Sequence, residues 1–217
     1  MKKVDRKEKT ANPGRPAGSN TEEKLLVLRC QHGDTASFEK LIRRHQASVF
    51  ALACSMVCVV EDARDICQDS FVKAFTKLPG FDPEYSFRGW LLRITYNTAI
   101  DYIRRKKCFL NYLGRKSREE AVPPVNAFTL VSESEIFSPY LRKLNPKQRS
   151  AVLMKYDWTL GYTEIGEIMG CSPSTVSVHV FHAKRRLKQL MTGSGHLSHE
   201  LQDVPLNKGS ILLGGER

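Results

Sequence analysis

Apolar residues recur along this chain at three- and four-residue steps and nowhere in the alternation that marks a strand, so every regular element is expected to be helical. From Thr21, Leu25, Leu26 and Leu28 form a short amphipathic segment that ends at Gly33-Asp34. Asp34 opens the next helix, its carboxylate accepting from the free N–H groups of the first turn. There Phe38, Leu41, Ile42, His45, Val49, Leu52, Ala53 and Met56 make one stripe, and a lone histidine in such a stripe reads as a satisfied core residue rather than a ligand. A third helix opens near Asp62 with Ala63, Ile66, Cys67, Phe71, Ala74, Phe75 and Leu78 inward, and Pro79-Gly80 stops it. Beyond the loop from Phe81 to Tyr85, Ser86 caps a long helix that runs through Trp90, Leu91, Ile94, Ile100 and Ile103 to the basic end Arg104–Lys107. Trp90, beside Leu91 and Ile94, is expected in the core.

Residues 108–138 carry Gly114, Pro123-Pro124, Ser132 and Ser134 with weak periodicity and read as a linker, and a second helical unit follows from Tyr140 to Met191. Within it, Tyr162 to Val176 has the form of a helix-turn-helix. Gly170 suits the left-handed residue that ends the first helix, Ser172 caps the second, and Pro173 takes its first position, where a missing N–H costs nothing. Val176, Val180, Ala183, Leu187 and Leu190 form the inward stripe, leaving Ser174, Thr175, Ser177, His179, His182, Arg185 and Arg186 on other faces. Small polar groups early in such a helix, followed by Lys184-Arg185-Arg186 and Lys188, fit base contact followed by phosphate anchoring. The plainer reading is a solvated basic face; the capped turn favours DNA.

The expected fold is all-α: two small helical domains joined by a flexible linker, the second containing the helix-turn-helix. The division is a disordered basic arm over 1–20, a first domain over 21–107, the linker over 108–138, a second domain over 139–191 and a flexible tail over 192–217, with a possible short turn at 197–204. Gly14-Arg15-Pro16 in the arm resembles half of a minor-groove AT-hook but lacks the preceding arginine.

Charge sharpens this picture. The 217 residues hold 34 Lys and Arg against 23 Asp and Glu, a formal net charge of +11 that suits a polyanionic partner. Residues 140–191 carry nine basic and three acidic side chains, so the positive field concentrates on the second domain. The polar start lacks a leader's apolar core, and the uncharged stretch from Gln46 to Val60 is shorter than the roughly 18 residues of a membrane span. A cytoplasmic location without membrane insertion is expected. There thiols stay reduced, so Cys30, Cys54, Cys58, Cys67, Cys108 and Cys171 read as buried or idle, the alternative being redox or metal sensing. No metal site and no cofactor is expected.

The two halves together resemble the extracytoplasmic-function branch of the sigma-70 family. Gly33-Asp34 with Phe38 and Leu41, Asp65 to Phe71, and Phe87 to Ile94 with Asn97, Ala99, Asp101, Arg104 and Arg105 resemble its region 2. Leu144-Asn145-Pro146, Tyr162 to Ile165, and Thr175-Val176 through Ala183 to Leu187 resemble region 4. The resemblance implies a transcription-initiation factor, not an enzyme, that brings core RNA polymerase to promoters and melts DNA for a stress or envelope-signal regulon. The implied partners are the clamp coiled coil of the largest polymerase subunit, the flap of the second largest, promoter DNA and a restraining anti-sigma factor. It assigns Asp65, Gln68 and Phe71 to polymerase, though Phe71 also reads as core. Phe81, Ser86, Phe87 and Asn97 are assigned to a flipped base of the minus ten element, with Arg88, Arg93, Arg104 and Arg105 on its backbone. Ser174, Thr175, Ser177, His179, His182, Lys184, Arg185 and Arg186 fall to the minus thirty-five element. Many members carry basic residues where this chain has Ser177, His179 and His182, which leaves the duplex sequence open. The rivals are a helix-turn-helix regulator independent of polymerase and a DNA-processing enzyme. The first leaves the helices of Asp65 and Asn97 without a purpose; for the second no glycine-rich phosphate loop, paired histidines or serine nucleophile elbow is found.

Overall fold

The computed structural model describes residues 21–116 and 139–192, and every regular element among them is a helix. The expected arm over 1–20, most of the linker and the tail with its possible turn lie outside the described residues. The first unit comprises α1 (Thr21–Gln31), α2 (Thr35–Val57), α3 (Val60–Lys77) and α4 (Phe87–Lys116). Asp34 caps α2, with the Ser37 N–H donating to Oδ1 at 3.2 Å and the Ser37 hydroxyl to Oδ2 at 2.7 Å. Ser86 caps α4 in the same way, its Oγ accepting the Gly89 N–H at 3.1 Å. The helix does not end at the basic cluster of 104–107 but continues to Lys116. Phe109 and Leu110 stay exposed along that extension, so no buried stripe marked it in the sequence.

One core cluster of this unit gathers Val27, Phe38, Leu41, Val49, Leu78, Phe81, Phe87 and Leu91, with Trp90 packed against it. His45 is buried there, and its Nε2 lies 2.7 Å from Glu23 Oε1, a satisfied core residue as expected. Two apolar expectations change. Phe75 is 48% exposed and meets the edge of the Phe38 ring, while neighbouring Ala74 and Leu78 stay buried and take the inward face. In α1 it is Leu26 and Val27 that are buried, while Leu25 and Leu28 face out.

The second unit comprises α5 (Pro139–Arg142), α6 (Pro146–Val152), α7 (Tyr162–Met169) and α8 (Pro173–Thr192). Asn145 and Gln148 form a reciprocal capping box at the start of α6. The helix then widens into a π-turn over Leu153–Asp157. Gly170 ends α7 in the left-handed conformation at φ 67°. Gly166 serves a different need: a Cβ there would lie 2.6 Å from the Cys171 carbonyl oxygen, which only a hydrogen side chain permits.

The two units pack directly on one another. Leu52, Met56, Ile66, Leu92 and Tyr96 of the first share one buried cluster with Leu144, Leu153, Met154, Ile165 and Ile168 of the second. Arg149, 5% exposed, fastens the join from α6. Its Nε and Nη2 donate to the carbonyls of Ser55 and Met56 at the end of α2, and its Nη1 to those of Arg142 and Leu144. No described helix is long and apolar enough to cross a membrane.

Candidate nucleic-acid interface

Three outward faces carry the residues singled out from the sequence. The first is a groove of about 600 Å³ between α3 and α4, lined by Asp65, Gln68, Asp69, Tyr102, Arg105, Lys106 and Phe109. Its walls are of opposite charge. Asp65 and Gln68 are exposed on α3, whereas Phe71 is half-buried against the core of the first unit. Lys106 is anchored by Asp62 at 2.6 Å and lies over the Tyr102 ring.

The second face is the N-terminal half of α4 and the loop before it. Phe81 and Phe87 are 4% and 2% exposed and meet edge-on at 5.8 Å, each also packing on Trp90. Their rings are walls seen from inside, not surfaces open to a ligand. Asn97, Arg104 and Arg105 are exposed, while Ser86, Arg88 and Arg93 are half-buried. Arg104 reaches Asp101 at 3.4 Å. The Arg88 guanidinium lies over the ring of Trp158, 5.0 Å from its centroid. Burial lowers the Arg88 pKa, and the charges of Glu164 and Glu23 oppose that shift.

The third face belongs to α8. Val176, Val180 and Ala183 are buried, as their spacing predicts, and Ser172 Oγ accepts the Thr175 N–H at 3.2 Å. Ser174, Thr175, Ser177, His182, Lys184, Arg185 and Arg186 are exposed, and His179 is half-buried. Burial first, then Lys147 and His182, push the His179 pKa below its ordinary value. Lys184 lies over the Tyr156 ring of the π-turn at 5.0 Å. A cleft of about 410 Å³ beside α8 is lined by Lys143, Asn145, Gln148, His182, Arg185, Arg186 and Gln189, with no carboxylate among them.

The matching family models are Sigma-70 region 2 over residues 41–108 and Sigma-70 region 4 over residues 136–187. The RNA polymerase sigma factor YlaC of Bacillus subtilis is 30% identical over 162 residues, covering 73% of this chain and 94% of its own. The chain belongs to the extracytoplasmic-function branch of the sigma-70 family. Its similarity extends to the extracytoplasmic-function sigma-E factor of Escherichia coli, at 29% identity over 76% of this chain and 92% of the relative. CnrH, solved in complex with the cytosolic domain of CnrY, superposes with a TM-score of 0.56 at 25% identity, covering 79% of this chain and 98% of CnrH.

In this sigma factor the sequence reading missed several residues of the three faces. Val178 and Phe181 are 51% and 62% exposed, on the outward stripe Ser174, Val178, Phe181, Arg185. Their four-three-four spacing, opposite the buried stripe, was the available signal. Tyr102, Lys106 and Phe109 in the groove had none, because their meeting with Asp65 depends on how α3 crosses α4. Among the described residues no cluster of His, Cys, Asp or Glu could hold a metal ion.

Proposed function

We propose that this sigma factor docks on core polymerase through the groove between α3 and α4, receives the unpaired minus ten strand on α4, and reads the minus thirty-five duplex with α8. It acts by binding, with no chemistry of its own, where polymerase works in the cytoplasm. Asp65 and Gln68 offer an acceptor and an amide to a partner helix, with Phe109 as an aromatic anchor. Phe71, half-buried, stiffens α3 beneath them. On α4, Asn97 supplies the polar edge for a flipped base, Ser86 fixes the helix start, and Phe81 and Phe87 back the pocket from within. Arg88, Arg93, Arg104 and Arg105 hold the strand's phosphates. On α8, Ser174, Thr175, Ser177, Val178 and Phe181 face base edges, with His179 and His182 flanking, while Lys184, Arg185 and Arg186 hold the backbone.

The carrying observation is α8 itself: a capped helix that buries one stripe and turns polar, apolar and basic side chains outward in that order from its start. An anti-sigma factor is the proposed restraint, in keeping with membership of the family. Run-off transcription with purified core polymerase on a genomic promoter library tests the whole reading. Discrete transcripts that disappear when Asp65 and Gln68 are both replaced by Ala are expected, with thermal stability changed by no more than about 0.5 kcal/mol. Core binding undiminished in that double variant would remove the groove from the polymerase interface.

A further inference from the structure

The seam between α4 and α7 brings an unusual set of groups together. Arg88 and Arg93 of α4, two of the arginines proposed to hold the minus ten strand, face the second unit rather than open solvent. Arg88 has the Trp158 ring over its guanidinium and feels the charge of Glu164. Arg93 acts electrostatically on Glu167, which is half-buried on α7. An aromatic ring beside fixed negative charges has the make-up of a nucleotide: a base with its phosphates.

Trp158 is delivered to this place by a strained connection. Its N–H bonds to the Leu153 carbonyl at 3.2 Å, closing the π-turn, and the Leu160 N–H bonds to Met154 at 3.0 Å. Between them Thr159 holds φ at 54°, a left-handed conformation that a β-branched residue rarely adopts. Such strain persists where the surrounding packing imposes it. Immediately before Thr159, the Trp158 ring lies against Arg88 of α4.

We propose that Trp158 stands in for an unpaired promoter base on the Arg88 guanidinium, so that the closed chain and the minus ten strand compete for one surface. The inference rests on the reading of α4 as the minus ten face. While the units are closed, Trp158 covers Arg88, and Glu164 and Glu167 repel phosphates from Arg88 and Arg93. When the second unit moves away, the guanidinium plane of Arg88 receives a base face, as arginine does with unstacked bases elsewhere. Arg88 thereby becomes a base-stacking residue as well as a phosphate ligand. Strand affinity is scaled down by the fraction of chains that are open.

The test uses the full chain and a fluorescent pool of short random-sequence single strands, read by anisotropy at fixed salt. Trp158→Leu keeps apolar bulk but removes the ring face, while Trp158→Phe keeps a ring; neither changes charge. The Leu variant is expected to bind strands on the order of tenfold more tightly than the native chain, with the Phe variant within about twofold of it. In complex with core polymerase, where the proposed strand site must already be open, all three are expected to bind alike. A Leu variant that binds no more tightly than the native chain, with the holoenzyme still binding strands, overturns the competition and leaves the α4 reading intact. Holoenzyme that is indifferent to Arg88→Ala and Asn97→Ala together overturns both.

Discussion

The two units meet along two seams of opposite chemistry. Between α2 and α6, the Arg149 guanidinium is buried and satisfied by carbonyls at the end of α2 and around the α5–α6 turn. Between α4 and α7, Arg88 and Arg93 are half-buried beside a ring and carboxylates. The first seam consumes its charge: the fork has its donors matched to oxygens that otherwise lack partners, and α2's dipole points its negative end at them. Burial lowers the pKa of both Arg149 and Arg88, so the difference lies in what each meets: a set of carbonyl acceptors around Arg149, an aromatic face and carboxylate charges around Arg88. A join that holds the closed form and a join that another ligand can replace differ in this way.

The sharpest break of that comparison is Arg149→Met. Removing the fork strands several interior carbonyls, each costing about 1–3 kcal/mol when left unsatisfied. A loss on the order of 3 kcal/mol in urea denaturation is expected, together with separation of the two units' unfolding transitions. Arg149→Lys should recover little, since one ammonium cannot span carbonyls on both units. An unshifted midpoint in Arg149→Met would mean that the α2–α6 seam does not hold the closed form.

Gly166→Ala loosens the other side. The added Cβ collides with the Cys171 backbone, a neighbour that cannot swing away, so α7 must shift against α8. Overpacking of this kind costs about 1–3 kcal/mol. Duplex binding should fall while core-polymerase binding stays, because the α3–α4 groove lies in the other unit. Equal loss of both activities would show that the units do not act separately.

Much of this was legible in the sequence, and the rest failed for identifiable reasons. Asp34, Ser86, Gly170, Ser172 and Pro173 act within a few residues of themselves, so their caps could be read directly. The buried stripes of α2 and α8 follow from helical period alone. Arg149 could not be read, because its partners at Ser55 and Met56 are more than ninety positions away in sequence. The Trp158–Arg88 contact is also long-range, and the π-turn before the ring has no composition signature. Phe81 and Phe87, assigned to a base pocket by resemblance, are packed in the core, a distinction that needs the fold.

A smaller effect is expected on a surface that neither seam uses. Arg185 is exposed on α8 and lines the carboxylate-free cleft beside it. Arg185→Ala should weaken all duplexes alike and reduce the slope of log affinity against log salt by about one. A change in which duplex is preferred would instead make Arg185 a base-reading residue and shift the division along α8 toward its C-terminal end.

The smallest expected effect separates the seams by pH. Burial, then the neighbouring Glu164, raise the Glu167 pKa above its ordinary value, while Arg93 draws it down. A carboxyl raised in the folded state contributes stability below its unfolded pKa and loses it as pH rises through the folded value. The native chain should therefore lose a little stability from about pH 4.5 upward at the α4–α7 seam. Glu167→Gln, which never ionises, should not. At pH 7 the Gln variant is expected to be the more stable by less than about 0.5 kcal/mol, and the difference should vanish near pH 4. Arg149 stays protonated across that range, so the α2–α6 seam supplies no such dependence. Paired thermal melts of the two proteins from pH 4 to 7 isolate this single carboxyl from the others. A Gln variant less stable than the native chain at pH 7, by a gap that closes on acidification, would reverse the sign and would make ionised Glu167 a net stabiliser of closure through Arg93.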